Sequence, residues 1–459
     1  MPSPLRNIVY RRLFLAQVVA LAGSGLSTIA LALLAYELAG KQAGAVLGTA
    51  LMIKMIAAVG IPTFAAGLTA KIPRKKLLIL LDVFRAAFVI CFPLITEVWQ
   101  IYLLIFLLNG CSAVFTPTFQ ATLPDILPDE DEYTRALSLS RLAYDLENLL
   151  SPMVAAAALL VLRFDALFVA TAVGFVFSAL LVSSVELPPR KVEDGAQGLW
   201  DKATFGIQIY VKTPRLRALL ILSFAVAAAG AMVIINTVLY VQNHLGGTQA
   251  ETAFVLAASG AGSMLIALLL PKLLENRSDR GFMLLGGGLL GCGLLLGLTM
   301  PDFLGLLPIW FLLGAGSSLV QTPTGRLLVR SASESDRSQI YAAHYALSHA
   351  CWLVAYPLAG FLGSKASFFV TFAALASIAF VATLAAVVLW PSHDPVELEH
   401  EHHHFEHEHL HVHDEHHQHT HEGWEGPEPH CHPHTHTSIR HKHPFVIDKH
   451  HPIWPRTAI

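Results

Sequence analysis

The chain alternates between long apolar runs and short polar or charged breaks. A bilayer core of about 30 Å is crossed by roughly 20 apolar residues in a helix that rises about 1.5 Å per residue. The pattern predicts twelve such helices, at 13–39, 44–70, 77–96, 101–123, 135–162, 166–187, 218–245, 252–274, 281–300, 303–330, 339–364 and 366–390. Most connections between them are only a few residues long. Two are longer: the segment 188–217 after the sixth span, and everything beyond residue 390. The expected fold class is all-α integral membrane, with a six-helix half over 1–187, a central loop over 188–217, a second six-helix half over 218–390 and a polar tail over 391–459.

Composition agrees. Of 459 residues, 54% are hydrophobic and only 14% charged, against about 25% charged in soluble proteins. The net charge of −3 offers no electrostatic footprint for nucleic acid. Five cysteines include no CxxC pair, so neither a disulfide framework nor a thiolate zinc site is indicated. The first apolar run is too long for the core of a cleavable signal peptide. Lysine and arginine crowd onto one side of the predicted helices: Arg6, Arg11 and Arg12, the Lys71/Arg74/Lys75/Lys76 cluster, and the central loop. The opposite loops hold only Lys41, Arg163 and Lys365. This asymmetry predicts cytoplasmic N- and C-termini in a bacterial-type inner membrane. There is no phosphate-binding Gly-Lys-Ser/Thr loop and no catalytic constellation, so the chain is expected not to be an enzyme. The expected partners are the lipid bilayer, divalent metal ions and protons, with no permanently bound cofactor.

An internal repeat supports two related halves. Gly110-Cys-Ser-Ala-Val-Phe-Thr-Pro117-Thr118 matches Gly316-Ser-Ser-Leu-Val-Gln-Thr-Pro323-Thr324 at six of nine positions, offset by 206 residues. Parallel six-helix halves around a central site are the major facilitator arrangement. The chain resembles that superfamily in its spans, its long middle loop and the basic loop after span two. Gln321-Thr-Pro-Thr-Gly-Arg326, Asp336-Arg337, Ala346-Leu-Ser-His-Ala-Cys-Trp352 and Tyr356-Pro-Leu-Ala-Gly360 resemble the nickel-resistance exporters of the superfamily (NreB-type), which also end in a histidine-rich tail. That resemblance implies efflux of Ni(II), with Co(II) as a further cargo. Two departures stand out. The loop Gly67-Leu-Thr-Ala-Lys71-Ile-Pro-Arg74 lacks the aspartate usual after span two, and span five has Ser151-Pro152 where many antiporters carry a glycine-rich Gly-Pro motif.

Ionisable residues within spans are costly and tend to face a cavity or a partner. In span five, Arg141, Asp145 and Asn148 share one stripe, while Glu147 lies about 160° from Asp145. Asp145 is the stronger candidate for a cavity-facing acid; the competing reading is an i,i+4 ion pair with Arg141. Lys54 in span two serves either as a proton carrier or as a counter-ion to Asp145 or Glu147. Asp82 and Arg85 in span three, with Lys71 and Arg74, are candidates for an inner gate. Span eleven presents a polar-aromatic face containing Tyr345, flanked by His344 and His349 about 140° apart, so one of the two is expected at the cavity and the other at a helix interface. Gln321, Thr322 and Thr324 beside Pro323 supply oxygen ligands or re-satisfy backbone groups freed by the kink.

The last 69 residues hold 21 of the 24 histidines and 12 acidic residues. Neutral imidazole ligates borderline divalent metals. The candidate ligands are His400, His402, His403, His404, His407, His409, His411, His413, His416, His417, His419, His421, His430, Cys431, His432, His434, His436, His441 and His443. With few apolar residues the tail is expected to be disordered without metal and to chelate without fixed geometry. The functional expectation is a proton-coupled exporter of a divalent metal, most simply Ni(II), fed by the tail. The alternative is an efflux transporter for organic compounds with an accessory metal-binding tail.

Overall fold

The computed structural model describes residues 3–39, 43–69, 72–189, 199–275, 277–392, 394, 397–402, 405–411, 430–436, 439–447 and 454. Lys71 and seven candidate ligands, His403, His404, His413, His416, His417, His419 and His421, lie outside them. The chain divides into two units, Met1–Trp390 and Pro391–Ile459.

The first unit is built of helices. Six precede residue 188: α1 (Ile8–Ala39), α2 (Ala43–Leu68), α3 (Arg74–Ile90), α4 (Val98–Ile126), α5 (Glu130–Leu159) and α6 (Asp165–Ser183). Then come α7 (Leu199–Lys212), α8 (Pro214–Ala231), α9 (Gln249–Leu274), α10 (Asp279–Leu296), α11 (Phe303–Gln321), α12 (Thr324–Val329), α13 (Arg337–Lys365) and α14 (Phe368–Leu389). Eleven of the described helical segments are long and apolar enough to cross a membrane. Helix α5 is not in that set; its first turn is Glu130-Asp131-Glu132, and charges recur at Arg141, Asp145 and Glu147. It nonetheless lies in the bundle, between α1 and α9. Exposed Leu94, Val173, Leu268 and Leu384 give the outer surface the apolar character that lipid requires.

Three features depart from a simple span count. The central segment contains α7, which packs on both α2 and α13. The seventh span leaves α-geometry after Ala231 and continues as π-helical turns at Met232–Asn236 and Leu239–His244. The repeat is used asymmetrically: Pro117 sits inside an unbroken α4, whereas Thr322-Pro323 interrupts the helix between α11 and α12. The matched threonines still make equivalent bonds, Thr118 Oγ1 to the Val114 carbonyl at 2.8 Å and Thr324 Oγ1 to the Val320 carbonyl at 3.1 Å.

Glycine sets the closest helix contact. A Cβ on Gly314 would lie 1.8 Å from the Ser259 carbonyl oxygen, and one on Gly262 would lie 2.0 Å from that of Phe311. Helices α9 and α11 therefore touch backbone to backbone, as small residues allow in membrane bundles.

In the second unit, β1 (Glu397–His402) pairs antiparallel with β4 (Ile439–Pro444), and β2 (Phe405–His411) with β3 (His430–His436). Histidine alternates with other residues at period two, which fits a strand, and strand pairing satisfies the backbone without a large core. Strand β1 sets His400 opposite His441, His402 opposite Ile439 and Leu398 opposite His443.

Candidate transport site

A cavity of about 310 Å³ opens between the two halves of the first unit. Helix α5 contributes Arg141 and Tyr144, the end of α11 contributes Gln321, and α13 contributes His344, His349 and Trp352. Both span-eleven histidines line it, and His344 also meets α7 at a helix interface. Their separation around the helix is real, but the cavity wraps far enough around α13 to reach both.

The two histidines are held differently. His349 stacks on Tyr345, with ring centroids 4.0 Å apart, and its Nδ1 lies 2.7 Å from the Tyr345 carbonyl oxygen. A carbonyl only accepts, so Nδ1 carries the proton and Nε2 keeps its lone pair, the form that ligates metals. His344 Nδ1 lies 2.8 Å from the Tyr210 hydroxyl on α7, and the two rings stack. Gly206 permits this docking, because a Cβ there would lie 2.4 Å from the Gln339 carbonyl oxygen of α13.

Asp145 does not line the cavity. It is 7% exposed and its Oδ2 accepts from the Ser263 hydroxyl on α9 at 2.6 Å. Arg141 approaches its Oδ1 at 3.1 Å and donates from Nε to Ser263 Oγ at 3.0 Å. The ion-pair reading of Arg141 and Asp145 thus describes the geometry, with an addition: Ser263 carries the pair across the α5–α9 seam between the halves. Among the described residues no Asp or Glu lines the cavity.

Glu147 takes the other face of α5. A Cβ on Gly25 of α1 would lie 2.1 Å from Ser151 Oγ and 3.1 Å from Glu147 Oε1, so glycine there makes room first for the serine and then for the carboxylate. Lys54 on α2 lies within electrostatic reach of Glu147 on α5 and of His349 on α13. The Asn148 side chain lies outside the described residues. Among the described residues of the membrane unit, no three His, Cys, Asp or Glu side chains converge to hold a metal.

The helix ends on the α1 N-terminal side close the cavity with charge. Asp125 at the end of α4 pairs with Arg74 at the start of α3 and with Arg337 at the start of α13. Arg326 in α12 pairs with Asp279 at the start of α10 and with Glu130 at the start of α5, at 3.2 and 2.6 Å. Arg330 adds a 3.6 Å contact to Asp279. Asp125 and Arg326 each have one partner in their own half and one across the interface. Beneath them the Tyr133 and Tyr341 hydroxyls meet at 2.5 Å, again between halves, and Tyr341 donates to the Gly325 carbonyl at 3.2 Å.

Of the four residues expected at a gate, Arg74 belongs to these charged helix ends through its pair with Asp125. Asp82 and Arg85 instead pair with each other inside the first half; Ser178 donates to Asp82 and the guanidinium lies over Phe115 and Phe175, 4.0 and 4.5 Å from their centroids. Their attachments run to α3, α4 and α6, so they brace that half. Sequence reasoning missed Asp125, Glu130, Asp279, Tyr210 and Ser263. The available signal was positional: Asp125 and Arg330 end the repeat-related spans four and ten. In the tail, the strand register sets Cys431 opposite Leu410.

The sequence pattern of the Major Facilitator Superfamily matches residues 13–301 and 219–411. The chain belongs to this superfamily and is a multi-pass membrane transporter. It is 26% identical over 163 residues to macrolide efflux protein A of Streptococcus pyogenes, a match covering 33% of this chain and 40% of that protein. It thus spans well under half the length of that relative. It is 23% identical over 284 residues, 60% of this chain and 67% of the relative, to the uncharacterized MFS-type transporter YfiS of Bacillus subtilis (strain 168). Among solved structures it resembles the human organic anion transporter MFSD10 (TM-score 0.73, 12% identity, 84% of this chain and 100% of that one). It also resembles a bacterial homologue of the iron transporter ferroportin in an outward-facing state (TM-score 0.66, 14% identity, 83% and 99%). At these identities the structural likenesses establish the fold.

Proposed function

We propose that the protein exports a divalent metal cation, Ni(II) foremost and Co(II) second, in exchange for protons, and so confers metal resistance. In this reading both termini are cytoplasmic in a bacterial-type inner membrane, and the tail gathers ions at the inner mouth. The observation that carries it is the pairing of a tail rich in histidine with a cavity lined by two histidines, one presenting a free Nε2. The resemblance to NreB-type exporters supplies the choice of nickel. His349 and His344 receive the ion, with Gln321 as an oxygen donor. The counter-proton is assigned to the Lys54–Glu147 pair: a divalent ion at His349 and an ammonium at Lys54 repel, so metal entry and proton departure are linked. Asp145 is reassigned from ion handling to the seam between the halves.

A second reading, efflux of organic compounds, is favoured by one specific observation: the cavity lining is aromatic and polar without a carboxylate. Its similarity to a macrolide efflux protein points the same way. Proteoliposomes carrying a pH gradient separate the two. Metal-by-metal uptake that requires the gradient and falls in His349→Ala supports metal export. No flux of Ni(II), Co(II) or Zn(II), together with gradient-driven movement of a macrolide or a hydrophobic cation, overturns it.

A further inference from the structure

A second cavity, of about 590 Å³, lies toward the α1 N-terminal side of the first. Its walls include Asp125, Glu130, Arg326, Arg330 and Arg337, the charged groups that join the halves. The Glu130 side chain is 63% exposed, so this cavity reaches solvent. Three elements pass from one cavity to the other. On α5, Tyr133 lines the second cavity and Leu137 the first; on α12, Arg326 lines the second and Gly325 the first; on α13, Arg337 lines the second and Tyr341 the first. Four residues of helix rise about 6 Å, so the division between the cavities is about one turn thick.

We infer that Tyr133, Tyr341 and Gly325 are this partition: the second cavity is a vestibule of the transport path, the charge clusters join the halves around it, and the tyrosine pair one layer deeper is the seal. This rests on the first cavity being the transport site, and it holds for a metal ion and for an organic cargo alike. The two tyrosines are 4% and 2% exposed. Tyr341 gives its proton to the Gly325 carbonyl at 3.2 Å, so Tyr133 is the donor in the 2.5 Å contact between the hydroxyls. The hydrogen bonds therefore run from the first half into the second, and only the link made by Tyr133 crosses the interface. Neither phenol proton is left for a water molecule. Gly325 makes the approach possible, because a Cβ there would lie 2.6 Å from Tyr133 Oη and 2.7 Å from Leu137 Cδ2. At the repeat offset of 206 the matching residue of the first half is Phe119. The small residue thus stands in the half that receives the tyrosine of the other.

Thiol labelling in inside-out vesicles tests the partition, using a chain freed of its five cysteines and given a single new one. Val329→Cys reports on the vestibule and Ser348→Cys on the transport site. A membrane-impermeant maleimide is expected to label the first about tenfold faster or more, since the second is reached only in the minor population with the seal open. Adding Tyr133→Ala should bring Ser348→Cys to within about threefold of the vestibule rate, while the distance between spin labels at exposed Asp131 and Glu334 stays unchanged. Tyr133→Phe and Tyr341→Phe keep the rings and guard against a misfolded alanine variant. Both should speed labelling of Ser348→Cys, the second more, because it removes both hydrogen bonds and leaves the Tyr133 proton without an acceptor. Equal labelling of the two sites in the parent chain overturns the inference. So does acceleration that comes only with a longer spin-label distance, or none in any of the three tyrosine variants. Absence of cargo flux with the labelling pattern intact would count against the transport assignment instead.

Discussion

Replacing Asp125 with asparagine is expected to open the cavity on the side that the charge clusters now close. The carboxylate holds Arg74 within its own half and Arg337 across the interface. Only the second bond distinguishes a closed from an open arrangement, since Arg74 travels with Asp125. The carboxylate and the Arg337 guanidinium are 18% and 13% exposed, so solvent screens them only partly. A hydrogen bond involving a charged group contributes about 1.5–3 kcal/mol. At about 1.36 kcal/mol per tenfold, its loss lowers the closed-to-open ratio by roughly 10- to 150-fold. A population about 99:1 closed would then fall to between roughly 10:1 and 1:1. Spin labels at Asp131 and Glu334, in different halves and both exposed, report the change as a second, longer distance in pulsed electron resonance. The background for labelling carries none of the five cysteines. Arg74→Gln serves as control: it breaks the bond inside one half and should leave the distance unchanged. If Asp125→Asn shows the single wild-type distance, the pair is structural support and the gating argument is wrong.

Ser263→Ala should destabilise the protein by about 0.5–1.5 kcal/mol, seen as a lower melting temperature in detergent, because it removes the hydroxyl bridging Arg141 and Asp145; an unchanged melting temperature would show that the seam does not depend on it. Gly314→Ala should cost at least about 1–3 kcal/mol through overpacking and reduce the monodisperse yield on size-exclusion chromatography, whereas Gly60→Ala, where a Cβ meets nothing within 4 Å, should not. Tyr210→Phe removes the hydroxyl beside His344 and should raise the KM for transport; an unaltered KM would separate α7 from substrate handling.

The spans were readable because each must satisfy its own backbone in lipid and so leaves a long apolar signature. Even α5 could be placed, its charges notwithstanding, since the apolar stretch after Glu147 completes a crossing. The conversion of the seventh span to π-helical turns was not readable. The first of these turns ends at buried Asn236, which donates to the Ala359 carbonyl at 3.0 Å, a partner 123 residues away that no local pattern announces. The helical wheel correctly separated Asp145 from Glu147, yet it relates positions within one helix and is silent on which neighbour each face meets. Asp145 therefore looked like a cavity acid until Ser263 of α9 appeared beside it. The gate was hidden for the same reason: Asp125 and Arg337 are 212 residues apart, and only the docking of two halves brings them together.

The charge clusters also bear on assembly. Spans four and ten are related by the repeat, as are five and eleven, but the signs are reversed: acid ends span four and base ends span ten, while acid begins span five and base begins span eleven. Two copies of the first half docked in this way would bring Asp125 against Glu130; two copies of the second would bring Arg326 against Arg337. Only unlike halves meet with opposite charges. The same residues that shut the cavity thus discriminate self from partner, and separately synthesised halves would be steered into one complete transporter rather than into homodimers of either piece.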